Sequence, residues 1–226
     1  MFAYEPTPLE AAVMSKHVYG DKISLIGGWK VSSATHGIQF NNSESGLKSA
    51  LYERTVSGKT EYTYATAGTN DNEDLKNNGM QIIGASKQYK ESGFNATEIQ
   101  KQLGDAESTF TGHSLGGGEA EYNSLLTGDK AITFNAAGVS VFTSALPRNS
   151  NTDAYIMTTD PLNALQSGVG LTAGGDKHYL QPRSLSGVLN GHSINSVIES
   201  LSTPTVFQQI MNNVVQALTV PSYLTN

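Results

Sequence analysis

The chain has 226 residues, 20 Asp plus Glu against 14 Lys plus Arg for a formal charge of −6, and no Cys. Without Cys there is no disulfide framework, no Cys-type zinc site and no thiol nucleophile. An acidic balance with no Lys/Arg cluster argues against nucleic acid as a partner, and 38% hydrophobic with only 15% charged residues describes a chain that can bury a core.

Thr7-Pro8-Leu9-Glu10 has the form of a capping box with Pro at the first helical position, and Leu9, Ala12 and Val13 follow on one face, so a helix over 8–19 is predicted. Residues 47–55 and 60–67 are rich in β-branched and aromatic side chains around the turn signal Ser57-Gly58 and predict a β-hairpin. Leu75, Ile82, Ile83 and Ala85 recur at helical spacing over 75–89, and Asn95-Ala96-Thr97-Glu98 supplies a capping signal for a second, short helix ending at Gly104. Then follow a strand (108–111), a Gly-rich turn, a helix (117–126), a strand (131–135) and a strand (154–158) closed by Asp160-Pro161. An amphipathic stretch runs from Ile194 to Leu201. Strands alternating with helices require crossover connections, so the fold expected is α/β, a mixed and mostly parallel sheet flanked by helices.

No internal repeat or compositional break divides the chain, and residues 1–226 are expected to form a single domain. No window reaches the roughly 18 apolar residues of a membrane span, and Met1-Phe2-Ala3-Tyr4 opens without a basic segment followed by an apolar one. The expectation is a protein with neither signal peptide nor transmembrane segment, cytoplasmic or exported by a signal-independent route.

The chemistry concentrates in Gly112-His113-Ser114-Leu115-Gly116, a Gly-x-Ser-x-Gly pattern between a predicted strand and a predicted helix. A serine on so tight a strand-to-helix turn needs neighbours without a Cβ two positions either side, and Gly112 and Gly116 provide them. The turn also aims a helix N-terminus and the Leu115 N–H at a developing oxyanion. The pentapeptide alone is a weak signal, and its strand–turn–helix setting gives it weight. The pattern lacks the Lys-Ser/Thr of a phosphate-binding loop and the glycine spacing of a dinucleotide fold.

A serine nucleophile needs a base, and the base an orienting carboxylate, in the chain order Ser, acid, His. Asp160 ends the apolar run Tyr155-Ile156-Met157 at the carboxyl end of a strand, the edge where Ser114 emerges. Asp129, Asp153 and Asp176 read as polar-turn residues. His192, in Asn190-Gly191-His192-Ser193, sits on a loop before an amphipathic stretch, where a base is usually carried, while His178 reads as an edge or surface residue. His113 should point away from Ser114 and pack; His17 and His36 read as structural. A second oxyanion donor belongs at Ala67-Gly68-Thr69, where Thr69 offers its N–H and hydroxyl, although a simple Gly-Thr turn fits the same residues. The acidic run Asn70 to Asp74 lacks the Gly and distant Glu of a calcium loop and reads as solvated.

Taken with the opening helix, Gln88-Tyr89, Ile132-Thr133-Phe134-Asn135 and Gly191-His192-Ser193-Ile194, these motifs resemble the class 3 lipases of the α/β-hydrolase superfamily, in particular their bacterial phospholipase A1-like branch. The resemblance covers most of residues 8–201. It implies an α/β-hydrolase fold and an ester hydrolase needing neither metal nor organic cofactor, with Ser114, Asp160 and His192 as the catalytic triad and Thr69 with Leu115 as the oxyanion hole. It further implies a lipid or other acyl-ester substrate and leaves transient membrane contact open. The chain departs from the family where Thr66-Ala67 precede Gly68 instead of a Phe-Arg type pair, and where Asn135-Ala136-Ala137 stands for Gly-Ala-Pro. A lid would draw on Met80, Ile82 and Ile83, or on Leu162, Leu165, Val169 and Leu171; both groups read more simply as core. Two other readings stay open: a soluble carboxylesterase or thioesterase using the same triad, and a non-catalytic module on the same fold.

Overall fold

The computed structural model describes residues 5–68, 81–138, 150–168 and 173–202. Helix α1 (Pro8–His17) opens as its sequence requires: Thr7 Oγ1 accepts the Glu10 N–H at 3.3 Å, and Glu10 Oε2 accepts the Thr7 N–H at 2.8 Å. The other Glu10 oxygen takes Arg54 at 2.8 Å, and that guanidinium also pairs with Glu61 and lies 4.6 Å over the Trp29 ring. The capping residue thus also fastens the helix to the neighbouring hairpin.

That hairpin, β3 (Leu47–Val56) and β4 (Lys59–Thr66), turns at Ser57 and Gly58, both at positive φ. Two short strands, β1 (Lys30–Val31) and β2 (Asn41–Asn42), pair antiparallel with β3 and were not anticipated; neither is long enough to show an alternating pattern. From β4 the sheet continues in parallel through β5 (Ser108–His113), β6 (Lys130–Phe134), β7 (Thr152–Met157) and β8 (Asp176–Leu180), in the order β1-β3-β4-β5-β6-β7-β8. This is the expected mixed, mostly parallel sheet.

Side chains alternate across it with period two. On one face Ile132 and Phe134 meet Ala11 and Ala12 of α1 and Ile194 and Val197 of α6 (Ile194–Ser202), while Tyr52 and Ala65 meet Met14 of α1 and Val18 just after it. Leu51, Tyr64, Phe110 and Ala131 face α2 (Gln81–Leu103) and α3 (Leu115–Thr127), against Ala96, Ile99 and Ala120. Helices therefore cover both faces. Two shorter ones, α4 (Pro161–Gly168) and α5 (Leu185–Leu189), follow β7 and β8.

Two expectations are corrected. No second helix starts at Asn95, because α2 runs unbroken through it: the Asn95 side chain is buried and donates to the Gln39 carbonyl at 2.9 Å instead of capping a helix end. Asp153 and Asp176 belong to strands. Asp153, on β7, pairs with Lys130 at 2.8 Å and His178 at 2.9 Å, and Asp176 opens β8. The predicted helix from residue 75 falls partly outside the described residues.

Candidate active site

At the carboxyl end of β5 the chain turns into α3 through Ser114, whose φ of 59° and ψ of −126° are strained for any residue with a Cβ. Neighbouring backbone holds it there. The Ser114 N–H donates to Phe134 O at 3.0 Å, and its carbonyl accepts from Gly118 N at 3.2 Å and Ala137 N at 3.0 Å. A Cβ on Gly112 would lie 2.2 Å from the Gly116 carbonyl oxygen, and one on Gly116 would lie 2.2 Å from that of Thr66. Both motif glycines are thus demanded by backbone-to-backbone contact. Gly118 is demanded too, since a Cβ there would meet Ala137 O at 2.7 Å.

Asp160 lies three residues past β7, buried, and caps α4 by accepting the Leu162 N–H at 2.9 Å. The same oxygen lies 2.9 Å from His192 Nδ1, and His192 Nε2 lies 2.9 Å from Ser114 Oγ. With the carboxylate accepting the Nδ1 hydrogen, Nε2 is left as the acceptor facing the hydroxyl. Three residues separated by up to 78 positions therefore form one hydrogen-bonded line. Leu115 opens α3, where its N–H has no intrahelical acceptor. Thr69 lies outside the described residues. Gly68 before it packs against the turn so closely that a Cβ would lie 2.8 Å from His113 O and 3.2 Å from Leu115 N.

The remaining histidines fall as expected. His178 stacks on Tyr155 at the sheet edge, and His17 bonds Tyr52 at 2.8 Å. The His36 N–H donates to Gln102 on the surface. His113 is buried with its ring bonded away from Ser114: Nδ1 is 3.1 Å from the Tyr19 hydroxyl and Nε2 is 2.6 Å from His192 O. Burial, with His192 beside it, pushes its pKa down to about 3, so the ring is neutral.

Sequence reasoning missed Asn135. At φ 44°, its amide nitrogen donates to Gly191 O at 2.9 Å and His192 O at 3.2 Å, while its side-chain oxygen accepts the Met157 N–H at 2.9 Å. Asn is among the non-glycine residues that tolerate positive φ, which was the one local hint. Tyr19 was missed as well, and its hydroxyl accepts the Gly68 N–H at 2.9 Å.

Beside His192 lies a cleft of about 530 Å³ lined by Pro161, Leu162, Leu165, Leu189 and Asn190. Leu165 and Leu189 are 74% and 73% exposed, so the α4 leucine is not the core residue expected. Ile82 and Ile83 fall within α2, whereas Met80, Val169 and Leu171 lie outside the described residues. Among the described residues no helix is long and apolar enough to cross a membrane, and no cluster of three His, Asp or Glu could hold a metal.

A mostly parallel sheet with helices on both faces and a serine on a strand-to-helix turn is the α/β-hydrolase architecture. Two solved lipases are similar to it in fold. A triacylglycerol lipase from Penicillium expansum aligns with a TM-score of 0.54 at 13% identity, over 80% of each chain. The Lip2 lipase of Yarrowia lipolytica aligns with a TM-score of 0.51 at 14% identity, over 86% of this chain and 90% of that one. The family model of the phospholipase-like, Tle-like phospholipase domain matches residues 10–213, and the chain belongs to that family. It is also 42% identical to the extracellular phospholipase A1 of Serratia liquefaciens over 100 residues, a stretch that spans 44% of this chain and 30% of that protein.

Proposed function

We propose that the protein is a serine hydrolase of carboxylic esters in lipids, acting as a lipase or phospholipase A1. The observation that carries this reading is the line Ser114 Oγ, His192, Asp160, with both heavy-atom distances at 2.9 Å. Ser114 Oγ attacks the ester carbonyl as His192 Nε2 takes its proton, and Asp160 stabilises the resulting imidazolium. Collapse of the tetrahedral intermediate breaks the C–O bond, His192 returns the proton to the leaving alkoxide, and an acyl-Ser114 ester remains. Water then repeats the sequence, releasing the fatty acid and regenerating the hydroxyl. The N–H groups of Leu115 and Thr69 would hold the oxyanion, a role supported for Leu115 by its place at the start of α3.

Membership of the phospholipase-like family and the Serratia relative favour a glycerophospholipid over a short soluble ester. The relative's description as extracellular favours export over retention in the cytoplasm. The cleft beside His192 offers Leu162, Leu165 and Leu189 to an acyl chain and Ser186, Asn190 and Asn195 to a polar group. Wild type and Ser114→Ala, assayed on phosphatidylcholine, triacylglycerol and p-nitrophenyl esters of short and long chains, test the reading. Serine-dependent fatty-acid release from phosphatidylcholine is the expected result. Turnover of short soluble esters alone would instead make the protein an esterase, and full activity of Ser114→Ala would remove Ser114 from the chemistry.

A further inference from the structure

We propose that His113 and Asn135 are positioning residues that grip the backbone carbonyl of His192 from two sides, with Tyr19 tying the same grip to the strand end at Gly68. The inference rests on the triad reading and concerns what makes that triad rigid.

His192 stands between two short helices, on a loop that by itself fixes no ring orientation. Asp160 holds one ring nitrogen and Ser114 faces the other, but the ring moves with its loop unless the backbone behind it is fixed. The described contacts fix it. The His192 carbonyl lies 2.6 Å from His113 Nε2 and 3.2 Å from Asn135 Nδ2, and the preceding Gly191 carbonyl accepts from the same amide at 2.9 Å. Asn135 is anchored in turn, through its side-chain oxygen, to the Met157 N–H at the end of β7, three residues before Asp160. One side chain thus joins the strand that presents the acid to the loop that presents the base. The chain accepts a non-glycine φ of 44° at Asn135 to place it there.

The second jaw is directional. Gly68 N–H donates to the Tyr19 oxygen at 2.9 Å, Tyr19 O–H faces His113 Nδ1 at 3.1 Å with the His113 carbonyl as a second, longer acceptor at 3.3 Å, and His113 Nε2–H faces His192 O at 2.6 Å. Each member accepts from the one before and donates to the next, an order that a neutral His113 satisfies with its single ring hydrogen on Nε2. Burial keeps that ring neutral. Because His113 is covalently next to Ser114, the chain links the oxyanion strand, the nucleophile's own turn and the base loop.

The test uses a soluble p-nitrophenyl ester and three variants. Asn135→Gly suits positive φ but removes the amide; Asn135→Asp keeps the shape and sets an oxygen against two carbonyls; Tyr19→Phe removes one hydroxyl. Loss of alignment by a fraction of an ångström predicts that Asn135→Gly and Asn135→Asp lower kcat by about 10- to 100-fold with KM within about twofold. The acid limb of the pH–rate profile and the downfield proton resonance of His192 Nδ1–H should shift with them, whereas a merely structural role would leave both in place. Tyr19→Phe should show the same changes to a lesser extent, about threefold or more in kcat. If Asn135→Gly does not fold, Tyr19→Phe decides. Folded variants with wild-type kcat, pH profile and resonance would overturn the proposal while leaving the triad intact. Undiminished turnover in Ser114→Ala would instead remove the reading beneath it.

Discussion

The turn that carries Ser114 and the loop that carries His192 meet through hydrogen bonds from Ser114 and His113, yet they are held by different means. Around Ser114 the constraint is made of backbone: a Cβ on Gly112 would lie 2.2 Å from the Gly116 carbonyl oxygen, and one on Gly116 would lie 2.2 Å from that of Thr66. Around His192 the constraint is remote and made of side chains, with Asn135 and His113 reaching in from two different strand ends. The first kind of site is intolerant of added atoms, and the second is intolerant of lost donors. Substitutions at the two places should therefore fail in different ways, one by losing the fold and the other by losing the rate.

The largest effect tests the junction itself. Ser114→Ala should lower turnover by roughly a hundred-thousand- to a million-fold, as loss of a triad nucleophile does, without changing the urea midpoint downward by more than a few tenths of a molar unit. Relief of the serine's strained backbone in that variant is limited, because alanine also carries a Cβ. Asp160→Asn keeps the volume but offers His192 the wrong partner, and steady-state assays should show a loss on the order of ten-thousand-fold.

On the backbone side, Gly116→Ala should be lost as a folded protein. A displacement of the Thr66 carbonyl large enough to admit a methyl group disrupts the β4–β5 pairing, which places the variant beyond about 4 kcal/mol of destabilisation. Recovery of soluble, cooperatively unfolding Gly116→Ala would contradict the picture of a turn set by contact.

The smallest predicted effect lies further along α3. Glu121 is buried, accepts the Gly174 N–H at 3.0 Å, and burial raises its pKa from 4.5 to about 7. A carboxyl with a raised folded pKa binds its proton more tightly in the native state. Its contribution to stability is complete below about pH 4.5 and is lost as the pH rises to about 7. Urea midpoints of wild type and Glu121→Gln should therefore diverge in favour of the variant across that window, and then run parallel. His113, with its pKa depressed from 6.5 to about 3, acts in the opposite sense: its contribution is complete above about pH 6.5 and is lost as the pH falls to about 3. Since both proteins carry it, it cancels in the difference. A constant difference from pH 4.5 to 7.5 would remove Glu121 as the source.

The same division explains what could be read from the sequence. Gly112-x-Ser114-x-Gly116 was legible because the residues that make the pattern fall within five positions, even though the contact that demands Gly116 is with the distant Thr66 carbonyl, and the capping box at Thr7 and the turn at Ser57-Gly58 were legible because they too are short. Asp160 and His192 could be chosen because few candidates followed Ser114 and chain order restricted them, and the structure brings both to hydrogen-bonding distance. Asn135 and His113 offered no comparable signal, since their partners lie 56 and 79 positions away and only the closed sheet selects them. Asn95 shows the converse error. Its local pattern is that of a cap, but the Gln39 carbonyl competes for its amide and the helix passes straight through. Short strands such as β1 and β2 escape notice because two residues cannot display a period.

Helices α1 and α6 pack against each other through Ala11, Ala12, Ile194 and Val197, so the first helix of the chain closes its core with the last one described. This has a consequence in time as well as in space. During synthesis the strand and turn bearing Ser114 are complete long before His192 has been added, and α1 must wait for residues near 194 to cover its apolar face. A nascent or truncated chain ending short of that point carries Ser114 without His192 and leaves that part of the core uncovered. On the mechanism proposed above, Ser114 has no proton acceptor until His192 and the helix behind it have been made.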